Sequence, residues 1–169
     1  MERSSVEAVV RALNEANVRY LIAGGLAVVA HGYVRFTADL DLILDLSKDN
    51  LDRAIPAFTQ LGYRPRAPVT LVEFTDAKSR ARWVRDKGLT VFSLFSPQHP
   101  ATEIDLFVES PIEFEAAHAA AVRMEVAPDL LATFVAFEDL ISLKQKASRP
   151  QDLEDIERLR SVRERTGHE

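Results

Sequence analysis

The sequence has no cysteine among its 169 residues. This absence excludes disulfide bridges, thiolate zinc sites, iron–sulfur ligation and a cysteine nucleophile. It fits a reducing compartment, and we expect a cytoplasmic protein. The chain also lacks the run of about 20 apolar residues that a membrane-spanning helix requires. Its first residues, MERSSVEAVVRALNEA, carry glutamates within a helical apolar spacing, unlike a signal peptide, so we expect no association with a membrane.

Neither sign of charge is in large excess, because 21 basic residues oppose 26 acidic ones. The net charge of −5 provides no general attraction for nucleic acid. The exception is the basic segment from Arg64 to Lys87, where seven basic residues face three acidic ones. A hydrophobic content of 47% is enough for one substantial core. We therefore predict a single domain over residues 1–169, with a sheet core over about 1–110 and a mainly helical C-terminal closure over about 111–169.

A short strand is predicted immediately before two adjacent glycines. Residues 18–23 (VRYLIA) are rich in strand-forming residues, and Gly24 and Gly25 separate them from the small-residue segment LAVVAHG. This order indicates a strand, a glycine turn and a short helix. Without Cβ atoms, such a turn lets backbone N–H groups and a helix N-terminus approach phosphate oxygens, although an ordinary tight turn has the same sequence.

Acidic residues alternate with leucines in the segment DLDLILD, which begins at Asp39. The period of two predicts a strand with a leucine face. Because residues i and i+2 of a strand point to the same side, the carboxylates of Asp39 and Asp41 lie next to each other and repel. A hard divalent cation, Mg²⁺ or Mn²⁺, relieves this repulsion, so we predict a metal site here.

A second strand, TEIDLFV, places Asp105 opposite an apolar face. The preceding LTVFSLF is joined to it by the proline-bounded turn SPQHP, which predicts an antiparallel pair. If TEIDLFV lies beside the strand of Asp39 and Asp41, the three carboxylates converge and clamp two metal ions about 4 Å apart. A bare Asp-x-Asp also occurs at strand ends that face water. The glycine turn, which ends 14 residues before Asp39, favours a catalytic site.

The remaining segments predict helices around a mixed sheet, an α+β architecture with a C-terminal helical segment. A first helix is expected from the capping-box spacing of Ser4 and Glu7, and the last helix is expected to begin at Pro150. The β-branched segment VTLVEF (residues 69–74) is predicted as a strand, and ATFVAF (residues 132–137) as a further short strand.

The text GGLAVVAHGYVRFTADLDL resembles the nucleotidyltransferase fold of the DNA polymerase β superfamily, in which a Gly-Gly or Gly-Ser turn precedes Asp-x-Asp. It is most similar to small bacterial members, toxin-associated and antibiotic-modifying, that also have a His-Gly or Leu-Gly and an Arg-x-Thr before the Asp-x-Asp. Here these are His31-Gly32 and the pair Arg35 and Thr37. The tail EDLISLKQKASRPQDLEDIERL resembles the end of toxin-associated members. The family's basic and acidic tail positions are Lys144, Arg149, Asp152 and Asp155.

The resemblance implies transfer of a nucleoside monophosphate from a nucleoside triphosphate (NTP) to an acceptor hydroxyl, with release of pyrophosphate. It implies that Asp39, Asp41 and Asp105 are catalytic residues that hold Mg²⁺ or Mn²⁺, and that Asp105 is also a candidate general base. Nucleotide contacts are implied for Gly24, Gly25, Arg35, Thr37 and Lys144.

Several of these residues have an equally ordinary explanation. Lys144 is about as readily explained as a solvated helix lysine, and Arg149 as an ion-pair partner of Asp152 or Asp155. Trp83, in the basic segment, suits base stacking in single-stranded RNA beside arginines that contact phosphates. A helix with one buried tryptophan explains it equally well.

Three functional hypotheses follow from the resemblance. The first is an enzyme that modifies tRNA in a toxin-antitoxin-like system, with a cognate antitoxin or regulatory protein as partner, which the tail and the basic segment favour. The second is an antibiotic nucleotidyltransferase of the aminoglycoside or lincosamide type, whose acceptor pockets need acidic residues for cationic drugs. The third is a regulatory module that binds nucleotide without turnover, against which the presence of all three carboxylates argues.

Overall fold

Strands from both halves of the chain join one mixed sheet in the computed structural model, which describes residues 1–167. The strands are β1 (Tyr20–Ile22), β2 (Asp39–Leu44), β3 (Arg64–Pro65), β4 (Val91–Phe95), β5 (Glu103–Phe107), β6 (Val122–Ala127) and β7 (Leu130–Phe134). Their order across the sheet is β3-β4-β5-β2-β1-β7-β6. The pairs β2–β5 and β1–β7 are parallel, and the other neighbours are antiparallel.

Helices pack around this sheet and include the last described residues. They are α1 (Arg3–Glu15), α2 (Gly24–Ala30), α3 (Lys48–Gln60), α4 (Ala77–Lys87), α5 (Phe114–Ala120), α6 (Phe137–Ala147) and α7 (Pro150–Thr166). The predicted α+β fold with a C-terminal helical segment is confirmed, as is the start of α7 at Pro150. From residue 1 to residue 167, no helix has both the length and the apolar content needed to cross a bilayer.

The alternating pattern of β2 and β5 determines which side chains enter the core. Leu40 and Leu42 of β2 and Ile104 and Leu106 of β5 are completely buried, because these positions share the inward face of the pleat. The acidic residues alternate with them and are only half-buried. Further along β2, Ile43 and Leu44 are both buried, so the strand is covered on both faces there. The half-buried acidic side is therefore confined to the beginning of β2.

Two local predictions are wrong. VTLVEF forms a 3-10 helix (Leu71–Thr75) and no strand, because Leu71 and Phe74, three residues apart, turn to the same buried side. A capping box between Thr70 and Glu73 stabilises its start. The first helix begins at Arg3 with Glu2 in the N-cap position, so Ser4 lies inside the helix instead of capping it.

The sheet extends beyond residue 110. The hairpin of β6 and β7 adds to the edge of β1, where Ile22 pairs with Phe134. The predicted short strand at ATFVAF corresponds to the end of β7. The segment after residue 110 thus contributes two strands together with α5, α6 and α7.

Candidate active site

Parallel pairing of β2 with β5 brings the three predicted carboxylates together. Asp41 is the register partner of Asp105, and Asp39 is the partner of Glu103. The strand pairing on which the sequence argument depended is therefore present. Because register partners and i, i+2 neighbours share one face of a sheet, Asp39, Asp41 and Asp105 form one group, which we call the site carboxylates.

Burial and the neighbouring negative charges raise the pKa values of two of the site carboxylates, Asp41 and Asp39. Burial raises the pKa of Asp41 to about 6, with further contributions from the charges of Asp105 and Asp39. The backbone N–H of Gly25 and the charge of Lys144 act in the opposite direction but do not cancel the rise. The pKa of Asp39 is also raised, first by burial and then by Asp105 and Glu103. The site carboxylates are therefore held together at an electrostatic cost.

Two further polar residues lie at the site but were not predicted from the sequence. Ser93 of β4 is the register partner of Asp105 and donates a hydrogen bond of 2.5 Å to its Oδ1 atom. Glu103 lies on the same face and is paired with Arg66, whose Nε is 2.8 Å from the glutamate Oε2. Glu103 was identifiable from the alternation recognised in TEIDLFV, and Ser93 occupies the matching outward position of VFSLF, whose alternation was not used in the prediction.

The glycine turn packs directly against the site. A Cβ atom on Gly24 would lie 1.8 Å from Oδ2 of Asp41, and one on Gly25 would lie 2.3 Å from Oγ1 of Thr37. Gly24 also has a φ of +58°, which favours glycine. The predicted strand and short helix are confirmed, with Gly24 and Gly25 as the first two residues of α2, so the glycine turn is the beginning of this helix. In this structure the space left by the missing Cβ atoms accommodates the chain's own Asp41 and Thr37.

Arg35 and Thr37 lie in the segment between α2 and β2, which we call the 31–38 loop. Thr37 Oγ1 donates to the carbonyl oxygen of Asp39 at 3.4 Å. The Arg35 guanidinium contacts Asp155 of α7, with Nη2 at 2.9 Å from Oδ2 and Nε at 2.8 Å from Oδ1. The Nε–H is not aligned for a hydrogen bond, so that second contact is mainly electrostatic. Arg35 is therefore not a freely solvated loop residue.

Lys144 is buried, with only 4% of its surface exposed, so the solvated alternative is wrong. Its ammonium group is 3.0 Å from Asp152 Oδ1 and 2.7 Å from Asp155 Oδ2. The alternative for Arg149 is confirmed, because its Nε lies 2.7 Å from Asp152 Oδ2. We call this set the buried ion cluster. It consists of Arg35, Lys144, Arg149, Asp152 and Asp155, with the exposed side chain of Arg149 at its surface.

Trp83 is 5% exposed and stacks on Phe92 with ring centroids 5.0 Å apart, so it is a core residue. The hypothesis that it stacks on an RNA base is wrong for this structure. Some charge of the basic segment is also paired within the protein, although Lys78, Arg82 and Lys87 are exposed. Arg66 pairs with Glu103, and Arg80 is buried and donates to the carbonyl oxygen of Phe74 at 2.5 Å.

No protein-family model matches the sequence, and no curated protein matches it. Solved structures show the fold. The crystal structure of ANT(2'')-Ia in complex with adenylyl-2''-tobramycin is 15% identical over 93% of this chain and 86% of that one, with a TM-score of 0.56. The lincomycin-bound lincosamide antibiotic adenylyltransferase LnuA is 14% identical over 89% and 90%, with a TM-score of 0.57. The solution structure of the antibiotic-resistance factor ANT(2'')-Ia is 15% identical over 98% and 92%, with a TM-score of 0.55. The chain thus has the nucleotidyltransferase fold that its motifs resemble.

Proposed function

We propose that this protein is a metal-dependent nucleotidyltransferase that moves a nucleoside monophosphate from an NTP to a hydroxyl group of a small-molecule acceptor. The observation that carries the proposal is the register of Asp41 with Asp105, beside Asp39 and against the glycine turn. Similar structures of antibiotic adenylyltransferases support the same activity class. The presence of all three carboxylates argues against a binding module without turnover.

The chemistry of the site carboxylates fits Mg²⁺ or Mn²⁺, since hard oxygen ligands of like charge lie on one face of the sheet. Within residues 1–167, however, no three histidine, aspartate or glutamate side chains are arranged so that they could hold a metal ion by themselves. Magnesium in nucleotide enzymes is usually held by one or two carboxylates together with substrate phosphates, so a complete protein cage is not required. When bound, the metal stabilises negative charge on the attacking and leaving oxygens.

Asp105 is proposed as a ligand and as the general base. Ser93 fixes one carboxylate oxygen, Oδ1, and leaves Oδ2 to accept a proton. In the transfer step, the acceptor oxygen forms a bond to the α-phosphorus, and the bond from that phosphorus to the oxygen of the β-phosphate breaks. The hydroxyl proton passes to Asp105 and pyrophosphate leaves. The residues of the site mainly orient the reactants and balance charge.

The donor phosphates are proposed to lie against the glycine turn, with Arg35 and Thr37 beside it. Both side chains already reach this turn, since Arg35 Nη2 is 3.2 Å and Thr37 Oγ1 2.3 Å from the Cβ position of Gly25. Lys144 is held by two aspartates, so we assign it an electrostatic contribution to nucleotide binding rather than a direct contact. Its positive charge already lowers the pKa of Asp41.

A cationic small molecule of the antibiotic type is the acceptor that the observations favour. The site carboxylates place negative charge on one face of the sheet, which attracts a cation, whereas Glu103 beside them is already paired with Arg66. In the similar structures, ANT(2'')-Ia is in complex with adenylyl-2''-tobramycin and LnuA is bound to lincomycin. The tRNA hypothesis and its antitoxin partner gain no such support, since Trp83 is buried in the core.

The test is a transfer assay with the purified protein. Each of the four labelled NTPs is incubated with Mg²⁺ and a panel of aminoglycosides and lincosamides, or with total tRNA. Transfer of label to an antibiotic supports the proposal, and transfer to tRNA replaces the proposed acceptor. If no NTP is bound and no label is transferred under any condition, the proposed activity is wrong.

A further inference from the structure

Two aspartates of α7 are buried as deeply as core leucines. Asp155 is 0% exposed and Asp152 is 1% exposed, and both contact the ammonium group of Lys144. Burying a carboxylate is costly unless it is paired and hydrogen-bonded. The two residues therefore need partners, and the partners of each show what it holds in place.

Asp155 joins three parts of the chain, whereas Asp152 joins two. The carboxylate of Asp155 contacts Lys144 of α6, Gln151 of its own helix and Arg35 of the 31–38 loop. Asp152 contacts Lys144 and, at the start of α7, Arg149, whose backbone N–H and guanidinium both donate to it. Asp155 is thus the member of the buried ion cluster that extends to the active-site side.

The two residues next to Arg35 in the 31–38 loop have no apolar anchoring, whereas Tyr33 packs against the core and His31 contacts the carbonyl oxygen of Val135 at the start of the loop. Val34 is 81% exposed and Phe36 is 82% exposed. The Arg35 side chain, in contrast, points inward to Asp155 and also donates to the carbonyl oxygen of Phe36 at 2.8 Å. Because hydrophobic burial does not fix these residues, the ion pair with Asp155 is the contact that holds the middle of the loop.

The loop in turn covers the glycine turn. Arg35 Nη2 and Thr37 Oγ1 lie next to Gly25, 3.2 Å and 2.3 Å from the position that a Cβ atom would take. A displacement of Arg35 therefore changes the surface that the glycine turn presents. The contacts form a continuous path from α7, through Asp155 and Arg35, to the proposed donor-phosphate site.

We propose that Asp155 is a positioning residue for the donor nucleotide. It contacts no substrate, and it acts by holding Arg35 so that the 31–38 loop stays against the glycine turn. This inference rests on the proposed function for its link to the nucleotide, whereas the anchoring of the loop does not. Asp152 has no such role, although it lies on the same helix, is equally buried and shares Lys144.

The anchoring is tested in the ligand-free protein by hydrogen exchange of backbone amides in residues 31–38. Asp155→Asn and Arg35→Ala should each speed exchange there by about tenfold, because local opening no longer breaks the ion pair. Asp152→Asn is the matched control and should stay within about twofold of the parent in this loop. Since Arg35 is at the edge of the cluster, Arg35→Ala keeps the test decisive even if Asp155→Asn folds poorly. Unchanged loop exchange in Arg35→Ala, or equal acceleration by Asp152→Asn, overturns the proposal.

The positioning role is tested by the affinity for ATP with Mg²⁺. Asp155→Asn and Arg35→Ala should each weaken binding by about tenfold, and the double variant by no more than the stronger single one, since both break the same link. Additive losses, or a loop that loosens while ATP affinity stays constant, overturn the positioning role. If the parent protein binds no NTP, the proposed function fails, and the exchange experiment still decides whether Asp155 anchors the loop.

Discussion

Two groups of charged residues lie close to each other in this protein. The cost of burying charge is offset by ion pairs in one group and is not offset in the other. The site carboxylates repel one another, and the pKa of Asp41 is raised to about 6, first by burial and then by its neighbours. In the buried ion cluster, burial also raises the pKa of Asp152, but hydrogen bonds from Arg149 and Lys144 outweigh it and the pKa is lowered. The first group consists only of acidic side chains, whereas the second also contains basic ones.

This difference in charge balance distinguishes a binding site from a cluster that only supports the fold. A cluster whose charges are balanced can be stable without any ligand, and its pairs serve the architecture. A cluster of like charges on a partly open face lowers stability, and a ligand that supplies the opposite charge removes that cost. The largest effects on activity should therefore come from the site carboxylates, and the largest effects on stability from the buried ion cluster.

The strongest test of this division is Asp41→Asn. We expect transfer to fall by at least about 1000-fold, because one metal ligand is lost while the side chain keeps its shape. Asp45→Asn is the matched control, since Asp45 follows the same strand and pairs with Arg19, with Arg19 Nη1 2.7 Å from its Oδ2. The assay is NTP turnover at saturating Mg²⁺. Similar activity of Asp41→Asn and the parent would remove Asp41 from the site.

Lys144→Met should have the corresponding effect on stability. It leaves Asp152 and Asp155 buried without their shared cation, which typically costs about 3 to 5 kcal/mol. Lys146→Met, on the same helix but exposed, should change the free energy of unfolding by less than about 0.5 kcal/mol. Urea unfolding measures both. Equal stability of the two variants would show that the buried ion cluster is not an internal support.

Gly24→Ala should disturb the site carboxylates through packing. The new Cβ would lie 1.8 Å from Asp41 Oδ2, and alanine also has to adopt a φ of +58°. Gly88→Ala is a close control, because Gly88 has a φ of +60° and nothing lies within 4 Å of its Cβ position. We expect Gly24→Ala to lower the free energy of unfolding by about 2 kcal/mol more than Gly88→Ala. Equal losses would mean that backbone conformation alone explains the glycine.

The difference in stability between Asp41→Asn and the parent should depend on pH in a defined direction. In the folded parent the pKa of Asp41 is about 6, above the ordinary value of 3.8 for an aspartate, so folding disfavours the ionised form. The parent therefore loses stability from this group as pH rises through that interval, and asparagine does not. Without metal, the variant should exceed the parent by about 1 to 3 kcal/mol at pH 7.5 and match it near pH 4. A variant that is less stable than the parent at pH 7.5 would contradict an unfavourable ionisation of Asp41 in the folded protein.

Ser93→Ala should have the smallest of these effects. It removes the hydrogen bond to Asp105 Oδ1 but leaves the carboxylate accessible to solvent and cation. A single hydrogen bond of this kind contributes about 1 kcal/mol, so we expect turnover to fall about fivefold. Ser93→Thr retains the hydroxyl group and should recover most of the loss. Failure of threonine to restore turnover would show that the hydroxyl does not orient Asp105.

Sequence patterns were sufficient for the site carboxylates because strand periodicity fixes which residues share a face. The period of two in DLDLILD and TEIDLFV placed Asp39, Asp41 and Asp105 outward before their pairing was known. Periodicity contains no information on tertiary partners, and the burial of Lys144 was therefore not predictable. A helix lysine followed by Asp-x-x-Asp has the same local pattern whether it is solvated or enclosed by a second helix.

The segment VTLVEF shows a second limit of prediction from sequence, which is that tertiary packing can override local propensity. Its β-branched residues favour a strand, but tertiary packing of Leu71 and Phe74 determines a 3-10 helix. Trp83 was ambiguous for a similar reason, because an aromatic residue in a basic helix fits both a surface and a core position. Its contact with Phe92 of β4 depends on where α4 lies on the sheet, which no local pattern contains.

The ion pair of Arg35 with Asp155 joins residues 120 positions apart in the chain. Contacts of such separation form late, since the intervening chain has to be arranged before they can close. During synthesis, a chain that has not yet extended past α7 has every site carboxylate but no support for the 31–38 loop. The 31–38 loop should therefore become ordered only after α7 has folded and packed against α6.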